Sequence, residues 1–249
     1  MALMQHVSCG GSRRPSSRSL TTPETRPVIV EQGTDRPLRV ERPGRVAYGE
    51  ALDLQSRLVE QRRAGEIPDT LVLLEHPHVI TLGTSSHRDN VLIDDDQARL
   101  LGIDVFETGR GGDVTYHGPG QLVGYPILDL KPDRCDLHRY VRDLEEVLIR
   151  ALASFDIAAG RKQGLTGVWV GHEKIAAIGV RVSSGWITSH GFALNVNTDL
   201  SFFGSIVPCG ITQYGVTSMR QILGREVTLD NVATSLVDAF SAEFGRTSA

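Results

Sequence analysis

The stretch spanning residues 167–197, GVWVGHEKIAAIGVRVSSGWITSHGFALNVN, constrains the fold more than any other part of this chain. Apolar and polar positions alternate along it, and it is punctuated by Gly171 and by Ser183, Ser184 and Gly185. A period of two interrupted by turn residues predicts two successive β-hairpins. Earlier, DTLVLLEH and HVITLG read as short buried strands. Helices fall between these segments. In AYGEALDLQSRLVEQRRAG, Tyr48, Leu52, Gln55 and Val59 share a face that Ala51, Leu54 and Leu58 widen, before Gly65 and Pro68 stop it. DLHRYVRDLEEVLIRALASF places Leu137, Tyr140, Val141, Leu144, Leu148 and Ala151 at helical spacing behind an Asp136 N-cap. Two further helices are expected over residues 218–223 and 230–244. The order is mixed rather than a strict βαβ alternation, which predicts an α+β (α/β) domain: a mixed sheet with helices packed on it.

Composition bounds what such a domain can do. The chain has 249 residues, 40% apolar and 22% charged, with a formal net charge of −4, so there is no global basic field for nucleic acid. There is no apolar run long enough to span a bilayer. Residues 1–37 differ: they are rich in Ser, Arg and Pro without apolar periodicity, and read as a disordered N-terminal extension. An Arg- and Ser-rich start is also compatible with a mitochondrial transit peptide or an over-long start, although Gly10, Gly11 and Pro15 interrupt an amphipathic helix. Residues 38–249 contain no Pro/Ser-rich linker and read as one domain. Cys9, Cys135 and Cys209 form no CxxC pair, which argues against a zinc site or a disulfide framework and for a reducing, cytoplasmic compartment.

Four features exceed what sheet packing requires. Cys209 stands between Pro208 and Gly210, so its thiol is held by a loop rather than by helix or strand regularity. A lone cysteine is ordinarily a small buried hydrophobe, and Cys209 needs partners to be more. RGGDVTYHGPGQ, residues 110–121, is glycine-rich; its glycines suit either a plain hairpin turn or a backbone that approaches a ligand closely. It matches neither the P-loop nor the dinucleotide pattern. The lysines are Lys131, Lys162 and Lys174 alone, and Lys174 opens the apolar run IAAIG. It is either a partly desolvated amine suited to proton transfer or a solvated hairpin residue. His190 interrupts an apolar strand, where a satisfied core histidine is the default reading.

Together, RGGDVTYHGPGQLVGYPI, KIAAIGVRV, HGFALNVNTDL and IVPCGI resemble the successive signature blocks of the lipoyl(octanoyl) transferases. EHPHVITLG is similar to that family's EHPPVYTLG block, with His78 and Ile80 as departures. The resemblance runs over residues 38–245. It implies a biotin/lipoate protein ligase-like fold and an acyltransferase needing neither metal nor cofactor. The donor it implies is octanoyl-acyl carrier protein. The acceptors are lipoyl domains of 2-oxo acid dehydrogenase complexes and the glycine cleavage H protein. The resemblance further implies that Cys209 forms an acyl-thioester intermediate and that Lys174 lowers the pKa of its thiol. Substrate contacts are implied at Arg110, Gly111, Gly112, Asp113, Val114, Thr115, Tyr116 and His117, at Ala177, Ile178 and Gly179, and at Gly191, Phe192 and Ala193. Two other readings stand beside it: an ATP-dependent lipoate or octanoate ligase, in which Lys174 meets an acyl-adenylate, and a non-catalytic acyl-binding protein in which Cys209 only packs.

Overall fold

The computed structural model describes residues 36–207 and 214–248. In chain order the elements are β1 (Arg36–Arg45), α1 (Tyr48–Arg63), β2 (Asp69–Glu75), β3 (Val79–Leu82), α2 (Asp95–Leu101), β4 (Asp104–Glu107), β5 (Val114–His117) and β6 (Gln121–Ile127). Then come α3 (Leu137–Ala153), β7 (Gly160–Lys162), β8 (Leu165–Val170), β9 (Glu173–Val182), β10 (Thr188–Asn195), β11 (Gly215–Val216), α4 (Met219–Leu223), α5 (Leu229–Phe244) and β12 (Arg246–Ser248). The large sheet runs β12-β1-β2-β6-β10-β9-β8-β7, with β11 added alongside β9. Its β12, β1 and β2 are mutually parallel and the β2-β6-β10-β9-β8-β7 run is antiparallel. A small sheet, β4-β3-β5, stands beside it. The expected pair of hairpins is β8-β9-β10, and the mixed sheet with helices packed on it is as anticipated.

Helices cover both faces of the large sheet, which explains why its central strands read as continuous apolar runs. Along β2, Leu71 and Leu73 turn to the layer built by α3 and α5, whereas Val72 and Leu74 turn to α1. On α3, Tyr140, Leu144, Val147 and Leu148 are fully buried, each contributing about 1.5–3 kcal/mol. Asp136 caps that helix by accepting from the backbone N–H groups of His138 and Arg139. Leu137, expected on the buried face, is 44% exposed and lines the cavity described below.

Strand β1 begins at Arg36, so Arg36 and Pro37, assigned above to the extension, belong to the sheet. Arg36 pairs with Arg246 of β12, and its guanidinium donates to the carbonyls of Asp129 and Lys131. Residues 1–35 lie outside the described residues. The same end of the sheet is fastened by a buried charge cluster. Asp69 accepts from Arg62 Nε at 2.7 Å and Arg246 Nε at 2.8 Å, and from the backbone N–H of Asp129 at 3.0 Å. Among the described residues, no helix is long and apolar enough to cross a membrane.

Candidate active site

Arginine 110 explains how the glycine-rich loop keeps its shape. Its buried guanidinium donates to the carbonyls of Thr81 and Asp113, both at 2.7 Å, and to the Thr81 hydroxyl. The loop is thereby folded onto β3, and its Gly111 N–H donates to the Val180 carbonyl of β9 at 2.9 Å. Two backbones meet there only because Gly179 lacks a side chain: a Cβ would lie 2.9 Å from the Gly111 carbonyl oxygen. Gly191 serves the same purpose between β10 and β6, where a Cβ would stand 2.1 Å from the Gly124 oxygen. The glycines allow close backbone approach, as one of the two sequence readings holds. The Asp113 carboxylate faces outward from the loop and accepts from the Asn90 amide at 2.7 Å.

The loop, β9 and β10 enclose a cavity of about 660 Å³, in the range usual for small-ligand sites. Arg110, Gly111, Gly112, Asp113, Val114, Thr115 and His117 line it, as do Ala177, Ile178, Gly179, Gly191, Phe192 and Ala193, with Lys174 at its edge and Leu137 and Val141 of α3 above. Tyr116 is the exception among the expected contacts. Its side chain turns to the opposite side of β5 from that of His117, where its hydroxyl meets His78 Nδ1 at 2.7 Å and its ring stacks on Phe202. His78, a departure from the family block, is thus a packing partner of Tyr116 and stacks on Phe202 at 4.2 Å.

A polar, aromatic cluster that sequence reasoning missed floors the cavity. Tyr48 stacks on His117 and meets His76 edge-on, while His76 Nδ1 donates to the Val46 carbonyl and its Nε2 accepts from the Tyr125 hydroxyl. Burial, and after it the neighbouring His76, depresses His117 to about 3. Burial depresses His76 to about 4, and burial together with the Arg110 charge depresses His190 to about 4. All three rings are therefore neutral at physiological pH. Tyr48 and Tyr125 escaped notice because an aromatic on a buried helix face or strand looks like core.

Lysine 174 is not at a hairpin tip. The β8–β9 turn is formed by Gly171 and His172, and Lys174 is half-buried within β9, its Nζ 4.8 Å from the centroid of the Trp169 ring. Lys162 Nζ lies 3.6 Å from the Tyr214 ring centroid and 5.3 Å from that of Trp169. Tyr214 in turn meets Trp169 edge-on and stacks on His172. Cys209 lies outside the described residues. The chain enters its stretch from Val207, whose N–H donates to Asn90, and after Tyr214 it joins β9 as β11, with Gly215 opposite Glu173 and Val216 opposite Lys174.

Comparison with known proteins agrees with this geometry. Residues 47–241 match the family model described as the lipoyl protein ligase A/B catalytic domain. An octanoyltransferase of Rubrobacter xylanophilus is 56% identical over 204 residues, covering 82% of this chain and 91% of that protein. One of Solibacter usitatus is 55% identical, covering 82% and 89%. Among solved structures, a lipoate-protein ligase A bound with ATP superposes with a TM-score of 0.67 at 17% identity, covering 86% of this chain and 87% of that one. An archaeal bipartite lipoate protein ligase from Thermoplasma acidophilum gives 0.64 at 21% identity, covering 86% and 85%. At those identities the structures establish the shared fold. On the sequence matches, the chain is an acyltransferase that belongs to the lipoyl protein ligase A/B catalytic-domain family and, within it, to the octanoyltransferases.

Proposed function

We propose that the protein takes an octanoyl group from octanoyl-acyl carrier protein onto Cys209 and passes it to one lysine of a lipoyl domain. The observation that carries this reading is the pairing of β11 with β9. The chain leaving the Cys209 stretch is hydrogen-bonded beside Lys174, with the Thr217 N–H donating to the Lys174 carbonyl at 3.0 Å, and Lys174 borders the cavity. In the first step the Cys209 thiolate attacks the donor's thioester carbonyl, and the phosphopantetheine thiolate departs and takes up a proton. In the second, a neutral lysine amine of the acceptor attacks the new thioester, the Cys209 thiolate leaves, and the amine's proton passes to Lys174 or to water. A thiolate both attacks and leaves readily, and because the donor arrives activated no ATP is consumed. A free thiol with a pKa of about 8.5 is a few per cent ionised at neutral pH, so the cation or base at Lys174 is what raises the thiolate fraction. The apolar wall of Ala177, Ile178, Phe192 and Ala193 suits the acyl chain, at about 0.8 kcal/mol per buried methylene.

The test is intact-mass measurement after incubation with octanoyl-acyl carrier protein. A gain of one octanoyl group without ATP, lost in Cys209→Ser, is the expected result. A gain only with ATP would make the protein a ligase, and no covalent gain would make it a non-catalytic acyl binder.

A further inference from the structure

Beneath α1 lies a second cavity of about 440 Å³, walled in part by Leu52, Gln55, Val59, Arg181 and Ile187. Among the described residues, His190 alone lines both this cavity and the 660 Å³ one. His190 is an expensive residue for its position. It lies inside β10 with φ at +56°, the left-handed region that side chains disfavour and glycine or asparagine tolerates. Its Nδ1 is buried without a hydrogen-bond partner, while its backbone N–H is held at 2.7 Å by Gln55 Oε1 of α1. Strand pairing alone would be served more cheaply by glycine, so the ring answers another requirement. Its location suggests which. His190 pairs with Val180 at one end of the cavity-lining run of β9, and Lys174 occupies the other end.

We propose that the His190 side chain is the end wall of the acyl slot and sets the longest chain the enzyme accepts, by closing the catalytic cavity off from the cavity under α1. The inference rests on the reading that the acyl chain occupies the 660 Å³ cavity with its carbonyl near Lys174. On this reading an octanoyl chain ends on the Lys174 side of the ring. A longer chain meets the imidazole, and removing the ring opens the space beyond it, where Leu52, Val59 and Ile187 stand among the polar Glu60, Arg63 and Arg181.

The experiment compares kcat/KM for octanoyl-, decanoyl- and dodecanoyl-acyl carrier protein in wild type, His190→Gly, His190→Asn and Ala177→Phe. Wild type is expected to decline beyond octanoyl. His190→Gly should raise the decanoyl-to-octanoyl ratio about tenfold, and His190→Asn should move it in the same direction by less. Both replacements tolerate the left-handed backbone, so the fold is retained. Unchanged ratios in the two variants would overturn the end-wall role, as would a wild-type enzyme that uses decanoyl as well as octanoyl. Ala177→Phe fills the cavity near Lys174 and should depress transfer of every chain length. If it transfers octanoyl normally, occupancy of the cavity by the acyl chain is wrong. If it blocks transfer while the His190 ratios stay put, occupancy stands and the end wall alone falls.

Discussion

The ammonium of Lys174 lies 4.8 Å from the centroid of the Trp169 indole, and the ammonium of Lys162 lies 5.3 Å from the same centroid. An indole face attracts a cation by about 0.5–2 kcal/mol, more as the pair is desolvated. Trp169 is 4% exposed and therefore rigid, so it fixes where the Lys174 amine stands. Trp169→Leu is expected to lower kcat several-fold with little change in KM, and Trp169→Phe, which keeps an aromatic face, to recover part of the loss. Steady-state kinetics on variants whose circular dichroism matches wild type decide the matter. A Leu variant with wild-type kcat would show that the indole is packing and nothing more.

Replacing Lys174 itself separates charge from chemistry. Arginine keeps the positive charge but does not give up its proton at ordinary pH, and its planar fork occupies different space. Lys174→Arg is therefore expected to fail almost as badly as Lys174→Ala. The readout is the rate at which Cys209 is alkylated as a function of pH. Wild type should show an inflection below the free-thiol value of about 8.5, and Lys174→Ala should move it upward. Superimposable profiles in all three proteins would dissolve the proposed pairing of Lys174 with Cys209. Cys135, which is exposed, and Cys9 must first be replaced by serine so that their thiols do not contribute.

Sequence legibility followed periodicity. Segments with a clean repeat, such as Leu137–Ala153 and the β8-β9-β10 hairpins, were readable because burial on one face or in alternation writes itself into residue order. The parallel strands β1 and β12 were not, since β12 has three residues and β1, RPLRVERPGR, is rich in charged residues and carries prolines and a glycine. At the site, the glycines and Lys174 announced themselves by being poor choices for a strand. Tyr48, His76 and Tyr125 did not, because a neutral aromatic ring suits a core and a polar floor equally well. Tyr116 was expected among the substrate contacts with its neighbours, and strand alternation turns its side chain to the other side of β5 from His117.

Asp69 offers a test of how the C-terminal strand is held. Its carboxylate is 1% exposed and is shared between Arg62 and Arg246, two charges that are costly to leave buried without an anion. Asp69→Asn is expected to destabilise the protein by about 3–5 kcal/mol, the usual cost of breaking a buried pair from one side. Chemical denaturation measured by circular dichroism checks it. Because β12 pairs with β1 next to Arg246, hydrogen exchange should rise first in residues 36–38 and 246–248. A loss below about 1 kcal/mol, the range of surface ion pairs, would mean that water reaches the cluster.

The neutral histidines predict acid lability in a defined window. In the folded protein His117 is depressed to about 3 and His76 and His190 to about 4, whereas in the unfolded chain each returns to about 6.5. Between those values the unfolded chain binds protons that the folded one refuses, so stability falls as the pH drops. The contribution is fully present above about pH 6.5 and declines progressively to about pH 4. With three buried rings the loss over that window is on the order of several kcal/mol. Urea denaturation at pH 7 and pH 5 should therefore give a markedly lower midpoint at pH 5. His117 Nδ1 donates to Gln121 Oε1 at 2.7 Å, and Gln in place of His117 keeps a donor there but cannot take up a proton. His117→Gln should thus flatten the decline between pH 7 and 5 even if it lowers stability at both. An equal pH dependence in the variant would mean that His117 titrates alike in the folded and unfolded protein, and its depression by burial in the cavity floor would have to be given up.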